Sequence, residues 1–160
     1  MRKFLKLTAL AVAILFISVQ FVRPNKTNPP VVKGHALDAH VRVTPEVAAI
    51  FERACKDCHS NQTEWPWYAQ VAPVSWYVVD HVNDGREEMN FSEWSTYDRE
   101  QADWLLGAMC MTAERGRMPL VSYTRLHHTA KLSPADVQIL CAWSVKAESE
   151  KDRSIGSSIR

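Results

Sequence analysis

The sequence predicts an all-α fold: one small helical domain preceded by a single N-terminal transmembrane helix. Three observations carry this. Apolar residues recur at helical spacing behind recognisable caps, no pair of alternating strands is present, and a long apolar segment stands at the extreme N-terminus. At 160 residues the chain has room for one domain, with a core able to fold without disulfides once the leading segment is set aside.

The leading segment, "MRKFLKLTALAVAILFISVQFVRPN", begins with Arg2, Lys3 and Lys6. It then runs apolar from Leu7 to Val22, broken by Thr8, Ser18 and Gln20. Basic residues ahead of such a run are the pattern of an export signal or a signal anchor, with the N-terminus inside and the domain outside. No small-residue cleavage pattern and no lipid-accepting cysteine follows. An uncleaved anchor over residues 1–22 is therefore favoured over a removed signal peptide, near the shortest length, roughly 17 residues, that crosses a bilayer. The expected location is the cytoplasmic (inner) membrane, single-pass, with the domain facing the periplasm of a Gram-negative host. Residues 23–43 hold Pro24, Pro29 and Pro30 and lack helical period, so they read as an extended tether.

The domain is expected over residues 44–147. Thr44 can cap a helix with Pro45 at its first position and Glu46 in its first turn, where the helix dipole favours an acid. Val47, Ile50, Phe51, Ala54 and Cys55 then recur on one face. Pro66 and Pro73 forbid a long helix before Val74, and Val74 to His81 reads as a short one. Ser95 or Thr96 is expected to cap a longer helix bearing Ala102, Leu105, Leu106, Met109, Cys110 and Ala113, with Gly116 just past its end. After the loop "RMPLVSYTRLHHTAKL", Ser133, Pro134 and Asp136 open a last helix that carries Val137, Leu140 and Cys141. Residues 148–160 read as a polar flexible tail.

The formal charge of +1 conceals an acidic domain behind a basic leader, which argues against a nucleic-acid partner. Six tryptophans are a heavy aromatic load for so short a chain, suited to a core of few bulky groups or to walling in a large flat one.

The chemistry concentrates in "ACKDCHS", where two residues separate Cys55 from Cys58 and His59 follows at once. Covalent haem attachment needs two thiols for the two vinyl groups of the porphyrin and an imidazole that reaches the iron from the same side. C-x-x-C-H supplies all three, and an exported chain is where c-type haem is attached. Two other readings compete. Zinc could be held by Cys55 and Cys58 with a pair drawn from Cys110, His127, His128 and Cys141, although a second closely spaced pair is lacking. A redox dithiol would want a βαβ context that the sequence does not show.

For a second axial ligand the favoured residue is Met118 in "GRMPL", in a loop between two helices, with Gly116 letting the chain turn close and Pro119 stiffening it. Met109 and Met111 lie within a helix, where methionine usually fills core. Met89, His81, His127 and His128 are rivals.

A helix ending in C-x-x-C-H, a later M-P loop and a closing helix together resemble class I cytochrome c. The stretch "CKDCHSNQTEWPWYAQVAPVSWYVVDHVNDGREEMNFSEW" closely resembles the small membrane-anchored haem-binding domain family of bacteria. The resemblance runs from roughly Asn28 to Val145 and takes in the proline-rich tether, "GRMP", "LHHTAKLS" and Trp143. It implies a cytochrome c-like domain around one covalent haem c, with thioethers at Cys55 and Cys58, His59 as proximal ligand and Met118 as distal ligand. The expected role is one-electron transfer with redox partner proteins of unknown identity, without enzymatic activity. The alternative is a haem sensor or peroxidase-like protein with a displaceable sixth ligand and a distal histidine such as His81 or His128. Three further expectations accompany this reading. The free nitrogen of His59 donates to a carbonyl near Pro66 or Pro73; Trp65, Trp67, Trp76 and Tyr77 wall the haem; and Cys110 and Cys141 form either a disulfide or two buried thiols.

Overall fold

The computed structural model describes the backbone of residues 1–156 and the side chains of residues 1–147. Of the tail read over 148–160, the side chains and the whole of 157–160 lie outside the described residues. The described residues are helical and loop, with no strand, as an all-α fold requires. In chain order the helices are α1 (Arg2–Val19), α2 (Leu37–His40), α3 (Pro45–Ala54), α4 (Lys56–His59), α5 (Val74–Glu88), α6 (Arg99–Glu114), α7 (Val121–Leu126) and α8 (Pro134–Gly156). Three 3₁₀ turns lie between them, Trp67–Gln70, Phe91–Thr96 and His128–Ala130.

Where the sequence carries a complete cap, the structure uses it. Thr44 accepts from the Val47 amide at 3.4 Å with Pro45 at the first helical position of α3. At α8 the Ser133 and Asp136 pair closes a reciprocal box, the Ser133 amide donating to Asp136 Oδ2 at 2.7 Å and the Asp136 amide to Ser133 Oγ at 3.1 Å. The start of α6 differs from expectation. Ser95 and Thr96 are absorbed into a 3₁₀ turn, and Asp98 caps instead, accepting from the Gln101 amide at 2.8 Å. Likewise α5 does not stop at His81 but runs to Glu88, because nothing between the two breaks a helix and Gly85 is used for close packing.

The core gathers α3, α6 and α8 around Phe51, Leu105, Leu106, Met109, Leu140 and Trp143, with Phe91 and Trp94 from the second 3₁₀ turn. Phe51 stands at its centre, 4.8 Å from the Phe91 ring and edge-on to Trp143 at 5.3 Å. Each such side chain, once buried, stabilises by about 1.5–3 kcal/mol. The thiols of the two long helices have found each other: Cys110 on α6 and Cys141 on α8 form a disulfide with Cα atoms 4.7 Å apart.

The leader is the largest departure. The transmembrane helix expected over 1–22 is helical only over Arg2–Val19, and no helix among the described residues is long and apolar enough to cross a membrane. The helical stretch spends Arg2, Lys3 and Lys6 of its length on charge. None of its side chains is buried against the domain. The stretch read as an extended tether folds into the short α2 near its end, and it and the residues just before it are pinned to the domain. Gln20 both donates to the Ala72 carbonyl and accepts from its amide, at 3.0 and 2.9 Å, and Trp76 Nε1 donates to the Val22 carbonyl at 2.7 Å. Lys26 donates to the Ala69 carbonyl and to the Gln70 side chain. Leu37 and Val41, also from that stretch, are buried in the core, and Trp143 Nε1 donates to the Arg42 carbonyl at 2.9 Å. The packed unit thus begins before Thr44.

Candidate functional site

A mostly apolar cleft of about 470 Å³ opens between α3, α4, α5, α6 and the chain after α6. That volume lies in the roughly 300–1,000 Å³ range of cofactor and ligand pockets. Cys55, Cys58, His59 and Met118 all line it. The first three sit where α3 ends and α4 begins: the Cys58 and His59 amides bond the Cys55 carbonyl at 3.2 and 2.9 Å, so one tight turn presents both thiols and the imidazole.

Two features absent from the sequence reading fix this turn. Gly85 brings the α5 backbone so near that a Cβ there would lie 2.6 Å from the Cys58 carbonyl oxygen, inside van der Waals contact with main chain. Arg86 then spreads its guanidinium over four acceptors, the Ser60 and Thr27 carbonyls at 2.8 Å, Asn28 Oδ1 at 2.9 Å and Thr63 Oγ1 at 2.8 Å. It ties the segment after the motif to the leader. The only hint in the sequence is a Gly-Arg pair in the stretch expected to be loop after His81, which local pattern cannot distinguish from an ordinary turn.

His59 is oriented as expected, by a carbonyl, but not by one near Pro66 or Pro73. Its Nδ1 donates to the Met89 carbonyl at 3.0 Å. The prolines lie on a loop that turns away towards the leader, whereas the chain just after α5 passes under the imidazole. That carbonyl is held by a buried network next to it: Asn90 Nδ2 donates to Asn61 Oδ1 at 2.8 Å, and the Asn61 amide to Ser92 Oγ at 3.0 Å. Burial lowers the pKa of His59, with the Met89 hydrogen bond opposing, so the ring is disposed to be neutral, the form that ligates metal. Met89 therefore contributes its main chain rather than its sulfur.

The aromatic wall is also built from other residues than expected. Trp65, Trp67, Trp76 and Tyr77 do not line the cleft; Trp67 is 79 % exposed, and Trp76 is engaged by the leader. Phe51, Phe91, Trp104 and Tyr123 line it instead. Their helical spacing marks Phe51 as core in the sequence, but the other three are placed by contacts distant in the chain.

Met118 reaches the cleft by a helix-ending turn. Gly116 takes φ +61°, its amide bonds the Ala113 carbonyl at 3.0 Å, and the Arg117 amide bonds Thr112 at 2.9 Å, the paired bonds of a Schellman stop. Met118 is 39 % exposed, at the mouth. Of its rivals, His81 and Met89 line the cleft, while His127 and His128 do not; Met109 also lines it, as part of the core. His81 Nδ1 is within 2.8 Å of the Tyr77 carbonyl.

The competing chemistries lose their partners. Cys110 and Cys141 are consumed by the disulfide, and His127 Nε2 lies 2.7 Å from the Tyr68 hydroxyl, so a zinc site with Cys55 and Cys58 has no second pair. Among the described residues, the sole group of three His, Cys, Asp or Glu close enough to share an ion includes that same disulfide pair, with Glu114. Burial pushes the Cys55 thiol up to about 12 and the Cys58 thiol to about 11, opposite to the low values of a redox dithiol. Two neutral thiols, an imidazole with one nitrogen committed and the other available, and a thioether sulfur around one apolar cleft fit haem.

A small all-α domain with a cleft of this size and lining can house a haem. Residues 14–146 match the haem-binding domain family, and the chain belongs to that family. Searches of curated proteins and of solved structures found no match.

Proposed function

We propose that the chain is a c-type monohaem cytochrome that carries single electrons. Cys55 and Cys58 are the thioether attachment points, His59 is the proximal ligand and Met118 the distal one. The observation that carries this reading is the convergence of these four side chains on one apolar cleft, with His59 Nδ1 already bonded to the Met89 carbonyl. Bound there, haem supplies the one-electron couple. The protein's part is to fix the ligands and exclude water, which needs no catalytic constellation. The basic and apolar leader supports export and attachment to the outer face of the cytoplasmic membrane of a bacterium, with redox partner proteins meeting the cleft mouth.

A second reading, a haem sensor or peroxidase-like protein, draws on the partial exposure of Met118 and on His81 in the same cleft. The test is a visible spectrum after expression with haem-maturation machinery. The carrier is expected to give a c-type pyridine haemochrome and a low-spin spectrum that carbon monoxide leaves unchanged, with Met118→Ala losing the sixth ligand. Rapid carbon monoxide binding by the parent protein would favour the sensor, and absence of covalent haem would overturn both.

A further inference from the structure

The segment that presents Met118 is attached to the rest of the domain in an unusual way. Helix α7 buries none of its side chains fully, and Tyr123 and Thr124 are half-buried. What holds this strap is polar. The Tyr123 hydroxyl donates to Asp57 Oδ2 at 2.7 Å, the Tyr77 hydroxyl to Ser122 Oγ at 3.0 Å, and the Tyr68 hydroxyl lies 2.7 Å from His127 Nε2. Tyr123 is at the centre: its ring lines the cleft and stacks on His127 with centroids 4.2 Å apart.

Its acceptor is a residue of the attachment motif itself. Asp57 lies between Cys55 and Cys58, and its other oxygen accepts from the Glu64 amide at 2.9 Å, which fixes the carboxylate without satisfying Oδ2. One hydroxyl thus connects the two walls of the cleft. A hydrogen bond to a carboxylate is among the stronger polar contacts, and it acts here on a segment whose α7 side chains are at most half-buried.

We propose that Tyr123 and Asp57 form a latch that keeps the strap shut and thereby holds Met118 over the cleft, which makes both of them positioning residues. The proposal rests on the reading of Met118 as sixth ligand, but the closing of the strap can be measured without it. With the latch open, Met118 leaves more often and the sixth position admits an external ligand.

The experiment uses the full haem-loaded chain. Tyr123→Phe keeps the ring and its stacking and removes only the hydroxyl. Haem content by pyridine haemochrome is expected to be unchanged, amide exchange over residues 118–127 to speed up by about tenfold or more, and carbon monoxide binding to the reduced protein to rise by a similar factor. Asp57→Ala should reproduce both changes, and adding Tyr123→Phe to it should add nothing, since the two share one interaction. Exchange at the parent rate in Tyr123→Phe, or additive effects in the double variant, would overturn the latch. If Met118→Ala leaves sixth ligation unchanged while exchange over 118–127 still responds as described, the ligand reading fails and the latch stands.

Discussion

The two walls of the cleft are built by opposite means. The wall with Cys55, Cys58 and His59 rests on α3, which buries Val47, Ile50, Phe51 and Ala54, and on the main-chain contact of Gly85 with Cys58. The wall with Met118 and Tyr123 buries no α7 side chain and depends on hydroxyl bonds across the cleft, from Tyr123 outward to Asp57 and from Tyr77 inward to Ser122. Packed walls open only with the whole domain, whereas a polar strap can open alone. A cleft organised in this way has one side held fast and one that can move.

The largest effect is expected at the staple behind both walls. Replacing Cys110 and Cys141 with serine frees a loop whose ends are 31 residues apart and should cost about 3–4 kcal/mol, read by denaturant unfolding. Next comes Gly85→Ala, where the added methyl meets a carbonyl that cannot move without the motif. We expect a loss of about 1–3 kcal/mol, together with less covalent haem per chain. If the variant attaches haem normally, the fixed wall is softer than its geometry implies.

Arg86→Ala should cost about 1–2 kcal/mol and speed amide exchange over residues 60–64, because four acceptors lose their donor at once. Asp136→Asn tests the start of α8. Hydrogen bonds from Ser133 hold the Asp136 carboxyl below the usual carboxylate range, with Arg53 at 2.7 Å adding to this. Its contribution is therefore present above the unfolded pKa and lost as pH falls through the lower folded one. At this half-buried surface position the variant should lose about 1 kcal/mol at neutral pH, and the difference from the parent should vanish in acid. Smallest of all, Trp67→Ala should stay within about 0.5 kcal/mol of the parent and leave the visible spectrum as it was.

What could be read from the sequence was what local chemistry determines. Thr44, Pro45, Ser133 and Asp136 announce helix starts because capping needs only neighbours in the chain, and Cys55, Cys58 and His59 share the cleft because a fixed short spacing puts them on one turn. Met118 was legible as a loop methionine behind a helix-ending glycine. The rest is made by contacts remote in sequence. The acceptor for His59 is main chain, and a carbonyl carries no residue signature. Gly85 looks like a turn former until α4 is laid against it, and the choice of Trp104 and Tyr123 over Trp65 and Trp67 depends on which way a loop turns. The same holds for the leader: proline content indicates an extended chain but not what it lies against.

Arg86 gives that leader a mechanical meaning. Its guanidinium grips Thr27 and Asn28 on one side and Ser60 and Thr63 on the other, while Gln20 and Trp76 clamp the chain just beyond α1. The segment between α1 and the domain therefore behaves as a bracket and not as a leash. Whatever surface receives α1 also sets the direction in which the cleft mouth faces, and a force applied to the N-terminus is delivered within a few bonds to the turn that carries Cys58 and His59.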